Sequence, residues 1–503
     1  MESSIIAEWL LAELKQGRFP PRMPVHRRVY ESIRRAIASH QLIPGIRLPS
    51  TRSLAEDLKL SRNTLLAAFE QLHDEGYVIS QVGSGTRVAK TFPEEFIEKK
   101  NAKDPGKSNT SGDATSLSAR GTTAAGQTDQ PGYEVQPFAP GEDDFSAFPS
   151  QLWRRLLNRQ WRTPQPEHLD YGHAGGYLPL RSAIANYLRM SRAVNLTVEQ
   201  ILITSGTQQS IDLCARLLTD HGDLAWVENP CYWGARRVLE VNGLQLHPVH
   251  VDEEGMSPSI DDFRRPPRLI YTTPSHQYPK GVVMSYGRRR LLLDYAASTG
   301  SWILEDDYDS EFRFEGHPLS SLQGMDQNGR VLYLGTFSKV MYPGIKLGYL
   351  VVPPDLAESF KRGLYQLQRP GQVVIQAALA EFIEEGHFAS HIKRMRQIYG
   401  EKRHLLQKAL APVTSVGANL PVAGSGLHLL VGLPSYCDDV RIAELATEQG
   451  LRIYPLSCYG IGENREKGLI IGYAYAATER ITHYGRILAD VIQAALATES
   501  RSA

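Results

Sequence analysis

The apolar positions of this chain follow two rhythms. Over residues 25–75 they recur at helical spacing: Val29, Ile33 and Ile37 on a predicted helix Val25–His40, Leu54, Ala55 and Leu58 on a second, and Leu65, Phe69 and Leu72 on a third that runs to Glu75. Ile5, Ile6, Trp9, Leu10 and Leu14 predict a short amphipathic helix before them. Further on the pattern changes to short unbroken apolar runs that read as buried strands: Ile201–Thr204, Ala225–Val227, Leu269–Thr272, Ser301–Leu304 and Val331–Leu334. Helical segments such as Leu180–Ser191 and Ser210–Leu218 alternate with them, which implies a mostly parallel, doubly wound α/β sheet. After Val351 the chain turns helical over Gly371–Glu385 and again around His391–Tyr399. It then mixes strands Leu427–Val431 and Leu469–Tyr473 with a helix Asp439–Gln449, the pattern of a smaller α+β domain.

Turn signals sharpen the first part. Pro44-Gly45 ends the first long helix, Ser50 or Thr51 can cap the second, and Leu60-Ser61-Arg62-Asn63-Thr64 opens the third. Two short helices joined by a tight turn make a helix-turn-helix. The strand Gly76–Ser80, the turn Gly83-Ser84-Gly85-Thr86 and the returning Arg87-Val88 make a wing. From about Thr91 to Tyr133 periodicity disappears into Ser, Thr, Gly, Ala and Asn, including Gly121–Gly126, which reads as a flexible linker. The expected organisation is a DNA-binding module over 1–90, a linker over 91–133 and a large domain over 134–503.

Length and composition agree with this division. A chain of 503 residues exceeds what one core sustains. Net charge is zero, yet residues 25–90 hold ten Lys and Arg against six Asp and Glu, so the basic excess is local. Four scattered cysteines with no CxxC pair argue against a disulfide framework or a metal site and suit a reducing cytoplasm. No apolar run reaches the roughly 18 residues of a membrane span, and the start lacks the basic region of a signal peptide.

The candidate chemistry lies in two stretches. Val331–Leu334 leads into Gly335-Thr336-Phe337-Ser338-Lys339, a loop lysine beside hydroxyls and glycines that can form a Schiff base with an aldehyde cofactor. Ser301–Leu304 leads into Glu305-Asp306-Asp307-Tyr308, which puts carboxylates at the carboxyl end of a strand, where α/β folds bind ligands. Pyridoxal phosphate needs a carboxylate on its ring nitrogen and a donor near its phenolic oxygen, and Asp306 and Tyr308 suit those roles. Ser205-Gly206-Thr207 at the start of a helix offers a phosphate site.

With these residues in view, the chain resembles the MocR/GabR subfamily of GntR regulators, in which a winged helix is fused to a fold-type I aminotransferase-like domain. The runs Leu-Pro-Ser-Thr-Arg, Ser-Arg-Asn-Thr, Glu-Gly-Tyr and Gly-Ser-Gly-Thr carry the first half of the likeness, and the Asp306 and Lys339 stretches the second. The resemblance implies operator contacts from Arg52, Ser61, Arg62, Asn63, Thr64, Gly85 and Thr86. It implies pyridoxal 5'-phosphate held by an aldimine at Lys339, with Gly206, Thr207, Thr336, Ser338 and Lys346 around the phosphate, Tyr232 stacked on the ring, and Asp306 and Tyr308 on its polar atoms. Tyr171 would reach the phosphate of a partner subunit in a homodimer. The expected function is a cytoplasmic transcription regulator that senses an amine, an amino-acid-like effector or the cofactor itself; a working aminotransferase that also binds DNA is the alternative.

Three positions depart from the family pattern. Lys346 stands where an arginine usually meets the phosphate. Tyr278-Pro279-Lys280-Gly281 replaces the frequent Asn-Pro-x-Gly, leaving His276 or Gln277 to serve the phenolic oxygen. Ile470 stands where an arginine usually grips the α-carboxylate of the substrate, so either Arg236, Arg369 or Arg452 does that work or the effector is not an ordinary α-amino acid.

Overall fold

The computed structural model describes residues 2–15, 19–20, 22–81, 85–90, 117–126, 136–315, 320–369, 371–420, 424–463 and 465–499. It separates into two compact units, 1–116 and 117–503. Most of the predicted linker, 91–116 and 127–133, lies outside the described residues, as do Gly83 and Ser84 of the wing turn. Residues Ala119–Ala125, read above as linker, form a short helix capped by Ser118, whose Oγ accepts from Gly121 N at 3.0 Å. This helix belongs to the second unit, where Arg237 Nη1 donates to Thr123 O at 2.8 Å. A seven-residue stretch rich in Ala and Thr has no apolar period to detect, so its helix rests on the cap and on the neighbour it meets.

In the first unit, helices Glu2–Lys15, Val25–Ala38, Thr51–Leu58 and Arg62–Asp74 pack around Leu10, Val29, Ile33, Leu54, Leu65 and Leu72, all nearly inaccessible. Ser50 caps the third helix by accepting from Ser53 N at 3.1 Å, and Lys59 ends it in the left-handed region at φ 56°. Ser61 caps the fourth by accepting from Thr64 N at 3.2 Å. Strands β1 (Val78–Gln81) and β2 (Gly85–Val88) then pair antiparallel, Val78 opposite Val88, and form the wing.

The second unit is built on an eight-stranded sheet among its described residues. Its strands are β3 (Ile201–Thr204), β4 (Leu224–Asn229), β5 (Gln245–Asp252), β6 (Gly255–Met256), β7 (Leu269–Thr272), β8 (Trp302–Asp307), β9 (Val331–Thr336) and β10 (Gly348–Val351). They lie in the order β3-β10-β9-β8-β7-β4-β5-β6. The strands β5, β4, β7, β8 and β9 run parallel; β10 is antiparallel to both its neighbours, and β6 returns antiparallel at the edge. Apolar side chains on both faces of β3, β7 and β9 are buried against helices, which explains why those strands read as unbroken hydrophobic runs. Strands β11 (His428–Gly432), β12 (Tyr454–Pro455) and β13 (Gly468–Gly472) form a second, antiparallel sheet. It packs with helices Asp439–Glu448 and Thr478–Glu499. Among the described residues no helix is long and apolar enough to cross a membrane.

Two substitutions test this packing. Leu72→Ala empties a fully buried position of the first unit and is expected to cost about 2–5 kcal/mol in chemical denaturation. Ser61→Ala removes only the cap and is expected to cost about 1 kcal/mol.

Candidate functional site

The carboxyl ends of β3, β4, β7, β8 and β9 meet along one edge of the large sheet, and a cavity of about 400 Å³ opens there. Of the residues expected at the cofactor, Gly206, Thr207, Tyr232, Asp306, Tyr308, Thr336, Ser338, Lys339 and Lys346 all line it. Tyr171 does not. It is 55 % exposed, its ring covered by the Arg369 guanidinium at 4.6 Å, so within one chain it is apart from the cavity.

Asp306 is the penultimate residue of β8 and is only 3 % exposed. The Tyr271 hydroxyl donates to its Oδ2 at 2.7 Å, whereas its Oδ1 is buried without a hydrogen-bond partner. Burial lifts this carboxyl to about 7; the Tyr271 hydrogen bond works the other way and the neighbouring Asp307 and Glu228 add to the rise. An acceptor aimed into a cavity with nothing to accept from matches the protonated ring nitrogen of pyridoxal phosphate.

The opposite end of the cavity suits an anion. Gly206, at φ 126°, turns the chain from β3 into the helix Thr207–Leu218, whose first amides are free of intrahelical partners. Gly348 is pressed against it: an added Cβ at 348 would lie 2.8 Å from Gly206 Cα, so position 348 needs glycine for the close approach and position 206 needs it for its φ. Thr336 Oγ1 accepts from Ser338 N at 3.1 Å and shapes the lysine loop. Lys346 adopts a left-handed conformation at φ 49° and is exposed, so it supplies a mobile point charge where a guanidinium would give a paired fork.

Lys339 donates to Gly141 O and lies 3.6 Å from Asp143 Oδ2. Asp143 is 3 % exposed and neither of its oxygens has a hydrogen-bond partner; burial raises its carboxyl to about 6, with Lys339 pulling it back. Sequence reasoning missed Asp143. The only available signal was the acidic run Glu142-Asp143-Asp144 after Pro140-Gly141, which resembles an exposed turn.

The question left at His276 and Gln277 has a third answer, since neither lines the cavity. Gln277 is turned inward, donating to Glu228 Oε2, Pro230 O and Tyr278 O. His276 Nδ1 lies 2.9 Å from the Tyr308 hydroxyl and 3.0 Å from Asp309 Oδ2, so it acts on the cavity through Tyr308. Glu228, fully buried, accepts from Thr272, Thr273 and Gln277 and anchors the whole loop after β7; it too was missed, because a strand-end glutamate gives no periodic signal.

The expected operator residues lie on helices Thr51–Leu58 and Arg62–Asp74, the turn between them and the wing strand β2. Arg52, Ser61, Arg62 and Asn63 are exposed and Thr64 half-buried at the start of helix Arg62–Asp74, while Gly85 and Thr86 lie on the wing. Arg47 joins them unannounced: its Nε would be 3.1 Å from a Cβ on Gly85. A helix N-terminus flanked by arginines and a wing has the shape and charge to meet phosphates and base edges.

The raised carboxyl of Asp306 predicts a pH dependence. With a folded value near 7 and an unfolded value near ~3.9, the folded cofactor-free protein binds the extra proton between those limits. Its contribution to stability is complete at the acidic end and is lost as pH rises through about 7. The cofactor-free protein should therefore gain up to about 1.4 kcal/mol per pH unit from this group on acidification within that window. Asp306→Asn should flatten the thermal-midpoint profile by that share.

The sequence profiles and relatives agree with this geometry. Residues 143–480 match the family described as aminotransferase class I and II, and residues 25–88 match the bacterial regulatory proteins of the gntR family. The chain is 40% identical, over 90% of both lengths, to the probable rhizopine catabolism regulatory protein MocR of Rhizobium meliloti. It is 31% identical, over 88% of this chain and 90% of the other, to the pyridoxine biosynthesis transcriptional regulator PdxR of Corynebacterium glutamicum. Its fold superposes on the kynurenine aminotransferase of Pyrococcus horikoshii with a TM-score of 0.67 and 26% identity, covering 72% of this chain and 91% of that one. The chain belongs to the MocR-type subfamily of GntR transcription regulators, which join a winged-helix DNA-binding domain to a pyridoxal-phosphate-binding aminotransferase-like domain.

Proposed function

We propose that this regulator reads an amine effector at the cavity around Lys339 and changes its hold on operator DNA in response. The observation that carries the reading is the convergence of Asp306 Oδ1, the Tyr308 hydroxyl, Lys339 and an anion-accepting helix start in one cavity. When bound, the cofactor supplies an aldehyde for which Lys339 and an effector amine compete.

The chain's own residues then have defined parts. Asp306 Oδ1 would accept a hydrogen bond from the ring N–H and so favour the cationic ring. The Tyr308 hydroxyl, held in direction by His276 Nδ1, would donate toward the phenolic oxygen. The amides of Gly206 and Thr207, the Ser338 hydroxyl and the Lys346 ammonium would hold the phosphate. Tyr232, packed edge-on against Tyr278 with centroids 5.9 Å apart, would cover the ring face. When an effector takes its place, Lys339 has a receiving site at Gly141 O and Asp143.

That receiving site lies on a segment tied to the small sheet: Arg452 N donates to Pro137 O at 2.8 Å and Gly472 N to Phe138 O at 2.9 Å. The state of Lys339 is thereby coupled to the position of β12 and β13. Coupling can shift DNA affinity only by the effector's difference in affinity for the two arrangements. We propose a homodimer in which exposed Tyr171, with Arg369 stacked on it, faces the partner's cavity.

Two outcomes are expected. Protein loaded with pyridoxal phosphate shows a visible absorption band that borohydride removes, and Lys339→Ala lacks it; a band that persists in the variant refutes the assignment of Lys339. Operator binding falls steeply with salt, and Arg62→Ala lowers the slope of log K against log salt by about 1. An unchanged slope would remove Arg62 from the phosphate contacts.

A further inference from the structure

Beyond the residues assigned to the cofactor, the cavity has an unusual lining for a site that receives amino acids. Trp233, Tyr278, Tyr454, Tyr459, His428 and Glu142 contribute to it, and Tyr278 meets the cofactor-side rings of Tyr232 and Tyr308 at 5.9 and 5.8 Å. Tyr278 and Tyr459 meet edge to face at 5.5 Å and their hydroxyls lie 3.2 Å apart. His428 is buried and close to neutral: burial and the nearby His276 take it down to about 3, and its Nε2 is engaged with Pro279 O at 2.9 Å. Among the described lining residues, the cations are Lys339 and Lys346, and both belong to the cofactor's side.

None of the arginines that could compensate is among the described residues lining this cavity, and of these Arg452 keeps a buried Nη2 without a hydrogen-bond partner. Ile470 lies opposite Tyr454 in the β12–β13 register, fully buried in an apolar cluster with Leu456 and Tyr459. Arg452 precedes Tyr454 by two residues and its guanidinium lies 6.0 Å from the Tyr454 ring; it lines a neighbouring cavity of about 700 Å³ that shares Trp233, Tyr454 and Tyr459 with this one. Arg236 lines that same second cavity and is paired with Glu240 at 2.9 Å. Arg369 covers the exposed Tyr171 ring.

From this lining we infer that the effector is an amine without an acidic group, its far end uncharged or cationic and seated against the tyrosine and tryptophan rings. An acid placed there would meet Glu142 and four aromatic rings, with no cation among the described lining residues outside the cofactor's side, and a buried unpaired carboxylate is strongly disfavoured. Aromatic faces beside a carboxylate favour the opposite, a hydroxylated or ammonium-bearing tail. This inference rests on the amine-sensing reading given above and specifies which amines it admits.

The test uses full-length protein loaded with pyridoxal phosphate and three probes of equal chain length: β-alanine, propanolamine and diaminopropane. Each is titrated while the visible band is followed. Propanolamine and diaminopropane are expected to half-convert the band at concentrations at least about tenfold below β-alanine. Glu142→Gln, a change at a half-buried side chain, should narrow the gap by several-fold, improving β-alanine and weakening diaminopropane while leaving propanolamine least affected. Equal or better conversion by β-alanine, abolished in Arg452→Ala or Arg369→Ala, overturns the inference while leaving the cofactor site standing. Absence of any visible band in the loaded protein overturns the cofactor reading, and this inference falls with it.

Discussion

A carboxylate buried at the end of a central strand is the constraint on which the site depends. Asp306 is 3 % exposed, with acidic neighbours on either side in Glu305 and Asp307. Without compensation, three successive acids at a buried strand end would repel one another and lose their hydration. Each is answered differently. Glu305 accepts from the amides of Leu322 and Gln323 at 2.7 and 2.9 Å. Asp307 is paired with Arg192, whose Nη2 lies 2.6 Å away and also donates to Ser275 at 2.7 Å. Asp306 has Tyr271 on one oxygen and an open cavity on the other. Asp307 Oδ1 is also buried without a hydrogen-bond partner, but of the three acids Asp306 is the one that lines the cavity, where a ligand with a proton to give can reach it.

The same economy of partners appears at Lys339. Its ammonium is held by a backbone carbonyl and by a buried carboxylate that has no hydrogen-bond partner of its own. An amine held by these two partners cannot at the same time be bonded to an aldehyde. Engagement with the cofactor and residence at Asp143 are therefore alternatives for one amine. The adjoining Asp144 pairs with buried Lys402 at 2.8 Å, and Lys402 also donates to Ala474 O at 2.7 Å, so the acidic turn is fixed to the long helix His387–Leu410 and to the chain after β13. Movement of the lysine is registered in a segment anchored on three sides.

Much of this was legible in the sequence because it follows from local rules. Strand-end acids, a hydroxyl–lysine loop and a glycine before a helix are each short-range patterns, and nine of the ten residues expected at the cofactor share one cavity. The winged helix was equally readable, since its caps and apolar spacing are local. What escaped depends on contacts between distant parts of the chain. Asp143 is 196 residues from Lys339, Glu228 is 49 from Gln277, and His276 reaches the cavity only through Tyr308. Helix Ala119–Ala125 escaped because its stability comes from a capping hydroxyl and Arg237 rather than from a period. Tyr171 stands apart because a single chain contains only half of the contact proposed for it.

The replacement at Ile470 takes its meaning from the surroundings rather than from the one position. A single lost arginine could be made good by a neighbour, and Arg452 lies two residues before the adjoining strand. But the surroundings of Ile470 point the same way: Leu456 and Tyr459 share its apolar cluster, Tyr278 meets Tyr459 through both ring and hydroxyl, and burial and the nearby His276 disfavour protonation of His428. A guanidinium introduced there would have to be desolvated among rings, next to a histidine that supplies no negative charge. Packing and electrostatics thus agree on a pocket end built for rings and hydroxyls, and that agreement carries more weight than the absence of any one cation.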